Sequence, residues 1–265
     1  VATWKLAVEY DGTRYYGWQE QKNSRTVAGE LRSAAEGLFS EPVEINGAGR
    51  TDAGVHALGQ IVRLRAGSSR KPTEILQGLN DRLPPDINVL RVAEAHSEFD
   101  PRRDTVARYY LYQISTRRTA FAKRFVWWVK DKLDARAIEQ ASESLPGRHD
   151  FVRFCDKRTG DASTIVVVNN VQFARDGDLL LIRIGASHFL WKMVRRVVGT
   201  LVEVGRGSIT VAEFARLVNS RNGAPGSFDI AAHTAPPSGL FLERVVYDDR
   251  DKPGPLSAAF PLRRF

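Results

Sequence analysis

The sequence predicts an α+β protein built of two α/β halves in succession, residues 1–103 and 104–247, with helices covering one face of the sheets and a flexible tail over 248–265. Three observations carry this reading. Stretches of strand-like and helix-like hydrophobic spacing follow one another along the chain, and proline and glycine clusters separate them. A length of 265 residues with 43% hydrophobic content is enough for a sizeable core. No internal sequence repeat stands out.

In the first half, residues 4–9 alternate as a strand and run into EYDGTRYYGWQEQ, where Asp11 and Gly12 make a turn before an exposed loop. Trp18 in that loop reads as packed rather than base-stacking. Thr26 caps a helix with Val27, Leu31, Ala34, Ala35 and Leu38 on one face. From Gln60, the residues Ile61, Val62 and Leu64 define a strand in which Arg63 turns outward or toward a ligand. Pro72 and Thr73 start a second helix with Ile75, Leu76, Leu79 and Leu83 on one side, stopped by Pro84 and Pro85. A strand over 87–92 follows.

The segment FDPRR, Phe99, Asp100, Pro101, Arg102 and Arg103, links the halves and reads either as a solvated linker or as a phosphate-contacting loop. ARYYLYQIS then forms a strand with Tyr110 and Tyr112 on one face and Tyr109 and Leu111 on the other, so one face is expected to be wet or functional. Asp134 caps a helix carrying Ile138, Ala141 and Leu145, ended by Pro146 and Gly147. A basic loop holds Lys157, Arg158 and Gly160, and TIVVVNNVQF and DLLLIRIG pair as a hairpin turning at 175–177. Residues 188–204 read as one helix with Phe189, Met193, Val194, Val197 and Leu201 inward. Arg195 on it either snorkels to water or meets a carboxylate across the fold. Thr210 and Glu213 form a capping box for a helix with Phe214, Leu217 and Val218 inward, and APPSGLFLERVVY gives the last strand.

Composition narrows the function. The net charge is +8, and the 39 basic residues include only nine lysines. Thirty arginines suit phosphate and base recognition, although a GC-rich genome also enriches arginine. Cys155 is alone, so there is neither a disulfide framework nor a thiolate cluster, and a small buried residue in a reducing, cytoplasmic setting fits. No apolar run approaches the roughly 20 residues that span a bilayer, and no signal segment opens the chain. His56 and His188 are too isolated to hold a metal, and no phosphate-binding Gly/Lys/Ser loop is present, so no metal or cofactor is expected.

The densest chemistry lies in GAGRTDAGVHALGQIVRL, residues 47–64, where Gly47, Gly49 and Gly54 shape a tight loop around Asp52. Arg50 beside it favours an ionised carboxylate fit for nucleophilic work, and a plain surface Arg/Asp pair remains open from the residues alone. GRTDAGVHALGQ resembles the active-site motif of the TruA family of tRNA pseudouridine synthases. EYDGTRYYGWQEQ resembles that family's opening motif, ARYYLYQIS its second, and GRHDF, FLWKMVR, VVGTLVEVG and APPSGLFLERVVY later ones.

The resemblance implies that Asp52 is catalytic and that Arg50 helps extract the target nucleotide. It further implies that Tyr110 stacks on the uracil and assists proton removal, that Arg195 pairs with Asp52, and that Phe99 to Arg103 touch RNA. It implies two similar halves whose antiparallel sheets join around a central cleft, a cofactor-free isomerisation of uridines at positions 38 to 40 of the tRNA anticodon arm, and a cytoplasmic homodimer. The chain departs from the family at Val166, where arginine is common, and at Lys192 and Arg196, where histidine and asparagine are more frequent. Lys192 and Arg196 imply a more positive rim to the site, and Val166 a local RNA contact that is missing or replaced. A noncatalytic RNA binder would have no use for Asp52 among phosphates, and a nucleosidase would need a second carboxylate that does not stand out near the motif.

Overall fold

The computed structural model describes residues 1–156, 163–219 and 228–263. In chain order its elements are β1 (Ala2–Tyr10), α1 (Val27–Phe39), β2 (Glu44–Gly47), β3 (His56–Ala66), α2 (Pro72–Asn80), β4 (Ile87–Glu94), β5 (Ala107–Ser115), β6 (Trp127–Trp128), α3 (Ala135–Ser142), β7 (Gly147–Asp150), β8 (Ile165–Asp176), β9 (Leu179–Ala186), α4 (Met193–Arg206), α5 (Val211–Asn219) and β10 (Leu240–Val246). The class is α+β. The chain divides into two compact units, Val1–Val106 with Phe241–Lys252 and Ala107–Leu240 with Pro253–Phe265. The predicted basic loop with Lys157, Arg158 and Gly160 lies outside the described residues.

In the first unit β1 is the central strand. It runs antiparallel to β4 on one side and to β3 on the other, from Ala2 opposite Ala66 to Tyr10 opposite Ala57. Trp4, Leu6, Val8 and Tyr10 point to the core at a period of two. β2 pairs antiparallel with β3, and β10 lies parallel to it through Phe241 and Leu242 opposite His56 and Ala57. The strand that ends the second half in sequence therefore completes the sheet of the first unit. The Thr26 hydroxyl accepts the Gly29 amide to open α1, and the Trp4 and Phe39 rings, 5.4 Å apart, seat that helix on β1. α2 stops at Asn80, so Leu83 lies beyond the helix rather than on it.

The second unit holds an antiparallel run β5, β9, β8, β7, with β6 parallel to β5. Every residue of β5 is buried. The expected wet face is absent because this strand is covered on both sides, as interior strands are. The Asp134 carboxylate accepts the Arg136 and Ala137 amides to open α3, which ends at Ser142 and leaves Leu145 buried in the turn that follows. Thr210 and Glu213 exchange the bonds of a capping box ahead of α5.

One helix is shorter than its periodicity suggested. α4 begins at Met193, because Lys192 is held in the left-handed region with φ 62° and breaks the helical path after 188–191. A carboxylate distant in sequence meets the break: Asp156 pairs with both Lys192 and Arg196, and the Asp156 amide donates to the Trp191 carbonyl. The segment read as a tail also carries defined contacts. Arg183 donates to the Gly254 carbonyl at 2.9 Å, and the buried Gln113 side chain accepts the Ala259 amide at 2.6 Å. No helix among the described residues is long and apolar enough to cross a membrane.

Candidate active site

Residues 48–55 form the loop between β2 and β3, shorter at its far end than expected because β3 already starts at His56. Of the three motif glycines only Gly54 needs left-handed backbone, at φ 77°. Gly47 serves space instead, since a Cβ there would lie 2.5 Å from the Trp18 ring. Trp18 itself is buried, as read from the sequence.

Residues 10–18 and Gln60 hold this loop by named bonds. The fully buried Gln60 amide donates to the Gly49 carbonyl at 2.7 Å and accepts the Gly49 amide at 3.0 Å, as a paired strand residue would. Thr51 is fixed twice: its hydroxyl lies 2.8 Å from the Tyr10 hydroxyl, and its carbonyl accepts the Trp18 amide at 3.0 Å. The Gly54 amide donates to the Tyr15 carbonyl, and the Val55 amide closes a turn onto the Asp52 carbonyl. With Thr51 buried, its neighbours turn the other way, so Arg50 is exposed and Asp52 partly exposed. The arrangement presents one carboxylate and one guanidinium at the tip of a loop whose backbone is fixed.

His56 anchors the exit of the loop. Its buried ring stacks on Phe241 at 4.9 Å, and its Nδ1 lies 3.1 Å from both the Gly12 amide and the Asp11 carboxylate. Those contacts require opposite protonation of Nδ1. The amide hydrogen has a fixed direction, which makes Nδ1 the acceptor. Burial pushes the Asp11 carboxyl up, while the Thr13 hydroxyl and amide both donate to it and favour its ionised form.

The link 99–103 is also built in the first unit. The Asp100 carboxylate accepts the Arg102 and Arg103 amides at 2.8 and 2.9 Å, and these bonds, with the Arg103 amide foremost, lower its pKa. The Pro101 carbonyl accepts the Tyr247 and Thr105 hydroxyls. The Phe99 ring lies 5.5 Å from Tyr247, with the Lys5 ammonium over both rings, and its carbonyl accepts from Arg63. Asp100 and Pro101 thus shape the turn that carries the exposed side chains of Arg102 and Arg103. Arg63, expected outward or at a ligand, also pairs with Glu44.

In the second unit Tyr110 is only 8% exposed, with the Phe189 ring edge-on at 4.9 Å. Tyr112, on the same face of β5, donates its hydroxyl to the Pro236 carbonyl at 2.7 Å. Burial raises its pKa well above the usual value while the nearby Arg195 charge opposes the rise. Arg195 donates through Nε to the Ala235 carbonyl at 2.7 Å, and the Ala235 amide returns a bond to the Arg195 carbonyl. The Nε edge of the guanidinium is thus held within the protein, and Pro236 and Ala235 join it to the tyrosine face.

Lys192 lies 2.5 Å from the Asp156 carboxylate and the buried Arg196 shares that partner, so one acid offsets one of the two cations. The Lys192 bond, ahead of the Arg196 charge, keeps the Asp156 carboxyl below its ordinary range. Val166 is fully buried opposite His149, a core position rather than a surface contact. Sequence reasoning passed over Tyr10, Gln60 and His56 as supports of the loop. The signal for Gln60 and His56 was a polar side chain between apolar or glycine neighbours, whereas Tyr10, between Glu9 and Asp11, gave none.

The tRNA pseudouridine synthase family profile matches residues 6–102 and 141–248. The tRNA pseudouridine synthase A of Citrifermentans bemidjiense is 37% identical over 248 residues, which cover 93% of this chain and 98% of that protein. That of Geobacter sulfurreducens is 39% identical over 249 residues, 93% of this chain and 100% of the relative. That of Agrobacterium fabrum is 36% identical over 250 residues, 92% of each chain. The chain belongs to the tRNA pseudouridine synthases, which are isomerases, and within them to the TruA family.

Proposed function

We propose that this enzyme converts uridines of the tRNA anticodon stem-loop to pseudouridine with Asp52 as the catalytic carboxylate. The observation that carries the assignment is the double fixation of Thr51, which presents Arg50 and Asp52 from a loop with little freedom. A loop holding its reactive group within a narrow range of positions lowers the entropic part of a barrier.

The reaction breaks the bond from ribose to the base nitrogen, turns the base, and rejoins it through carbon. The proton on that carbon leaves and the nitrogen ends with one, so atoms balance without oxidant, reductant or energy input. An ionised carboxylate supplies what the first step needs, a nucleophile or a stabiliser of developing positive charge. Taking the uridine out of its stack costs roughly a few kcal/mol, which the exposed Arg50 offsets by entering the vacated space. Family resemblance assigns uracil stacking and proton removal to Tyr110, and to Arg195 the role of Asp52's cationic partner. The exposed Arg102 and Arg103 contribute phosphate contacts. The same resemblance supports a cytoplasmic homodimer.

The test is Asp52→Asn, which removes charge with little change of volume. Pseudouridine formation is expected to vanish while tRNA affinity stays within a few fold. Full turnover in that variant removes Asp52 from the mechanism. Pseudouridine maps of tRNA from cells with and without the protein identify the uridines.

A further inference from the structure

The stretch 116–130, TRRTAFAKRFVWWVK, holds no acidic residue and lies outside both segments matched to the family. It is not a loose loop. The Ala122 amide donates to the Thr119 hydroxyl and the Phe125 amide to the Ala122 carbonyl, while the Gln113 side chain donates to the Phe125 carbonyl. Ala122 is buried, and its fixation thrusts the preceding Phe121 ring outward to 93% exposure. Trp128 is 41% exposed, and the Arg118 guanidinium lies 5.9 Å from its ring centre, as a cation does over an aromatic face. Lys123 and Arg124 are also exposed. The neighbouring acids already have partners, Asp131 with Arg206 and Asp178 with Arg117.

The C-terminal segment, likewise beyond the matched residues, is seated against this stretch. The Phe260 ring stacks on Phe125 at 4.8 Å, and Arg117 donates to the Arg263 carbonyl at 3.0 Å, which adds another exposed cation.

We infer that Arg118, Phe121, Lys123, Arg124, Trp128 and Arg263 form an accessory RNA-binding surface that grips tRNA away from the target uridine. Outward aromatics among exposed cations suit unstacked bases and phosphates together. A second copy of the chain fits poorly, because a two-fold contact would set these same cations against each other. The inference rests on tRNA being the substrate and does not depend on which residue does the chemistry.

The experiment measures binding of an unmodified full-length tRNA transcript to the full chain, with Phe121→Ala/Trp128→Ala and Arg118→Gln/Lys123→Gln/Arg124→Gln as variants and Asp52→Asn in parallel. Each surface variant is expected to raise Kd about tenfold, in line with the loss of one or two stacked bases or of several phosphate contacts. The cation variant should also flatten the log–log salt slope by about 2. Turnover at saturating tRNA, melting temperature and sedimentation should match the wild type. Affinity within twofold of wild type in both variants overturns the surface. So does a changed sedimentation with unchanged affinity, which would make it a protein contact. An active Asp52→Asn overturns the proposed chemistry alone.

Discussion

The hydroxyls of Tyr10 and Thr51 meet at 2.8 Å in the interior, between the end of β1 and the residue that separates Arg50 from Asp52. Tyr10 is 4% exposed and Thr51 6%, so neither touches substrate. Their bond acts on the loop through Thr51 alone. Thr51→Val and Tyr10→Phe each remove it with little change of volume and should lower kcat about tenfold, with KM and tRNA affinity nearly unchanged. Thr51→Ser keeps the hydroxyl and should recover most of the rate. An equal loss in Thr51→Ser and Thr51→Val would point to methyl packing instead.

How far the sequence showed this can be judged from the same residues. The Thr26 cap, the Thr210 and Glu213 box and the alternation in β1 were legible because each is decided within a few residues. Tyr10 and Thr51 were not, since 41 positions separate them and either hydroxyl alone is an ordinary strand or loop group. The start of α4 was missed because the apolar spacing of 188–204 is helical throughout, and the left-handed backbone at Lys192 that delays the helix leaves no mark on that spacing. The burial of β5 was hidden because tyrosine suits a wet face as well as a covered one. The motif around Asp52 was legible through its likeness to a family, whereas the bonds that hold it are tertiary.

Gly12 tests the loop from its other end. A Cβ there would lie 1.9 Å from the Val55 carbonyl oxygen, a backbone atom with no freedom to withdraw. Gly12→Ala should therefore displace the turn at 52–55, lowering stability by about 1–3 kcal/mol, the usual cost of overpacking, and lowering turnover more than Thr51→Val does. Denaturant unfolding and steady-state kinetics check the two effects separately.

Glu203 sets part of the acid limit of the second unit. Burial pushes its carboxyl up, but the Ser208 hydroxyl at 2.8 Å, the Arg206 guanidinium and His233 outweigh burial, so its pKa lies below the ordinary value. A lowered folded pKa contributes stability that is present above the unfolded value of about 4.3 and is lost as pH falls through the folded one. Glu203→Gln should cost about 1–3 kcal/mol at pH 7, as for hydrogen bonds to charged groups. The Tm gap between variant and wild type should narrow as the buffer is taken into the acid range. A gap independent of pH would assign the loss to packing.

Exposed cations of the link predict a salt effect of their own. The Asp100 carboxylate holds this turn through the Arg102 and Arg103 amides, which glutamine at both positions keeps, while the Arg103 side chain's bond to the Glu98 carbonyl is lost. Affinity for tRNA should fall, and its log–log dependence on salt should become shallower by about 1 to 2. An unchanged slope would show that neither arginine meets a phosphate.

Arg195 offers the most demanding test, because its proposed role reaches from α4 to a loop more than a hundred residues earlier in the chain. The Ala235 carbonyl holds the guanidinium by its Nε edge, which fixes the plane in which the remaining N–H groups point. A lysine keeps the charge but has no second edge to be held by, so Arg195→Lys should retain weak activity, lower by about 10 to 100 fold, with near-normal tRNA affinity. Arg195→Met removes the charge and leaves the Ala235 carbonyl without this donor, and it should be nearly inactive and somewhat less stable. The decisive measurement separates kcat from affinity: if Arg195 acts on the Asp52 carboxylate, Arg195→Met should lower kcat while tRNA affinity stays within a few fold. A loss of affinity with kcat kept would make Arg195 an RNA contact instead.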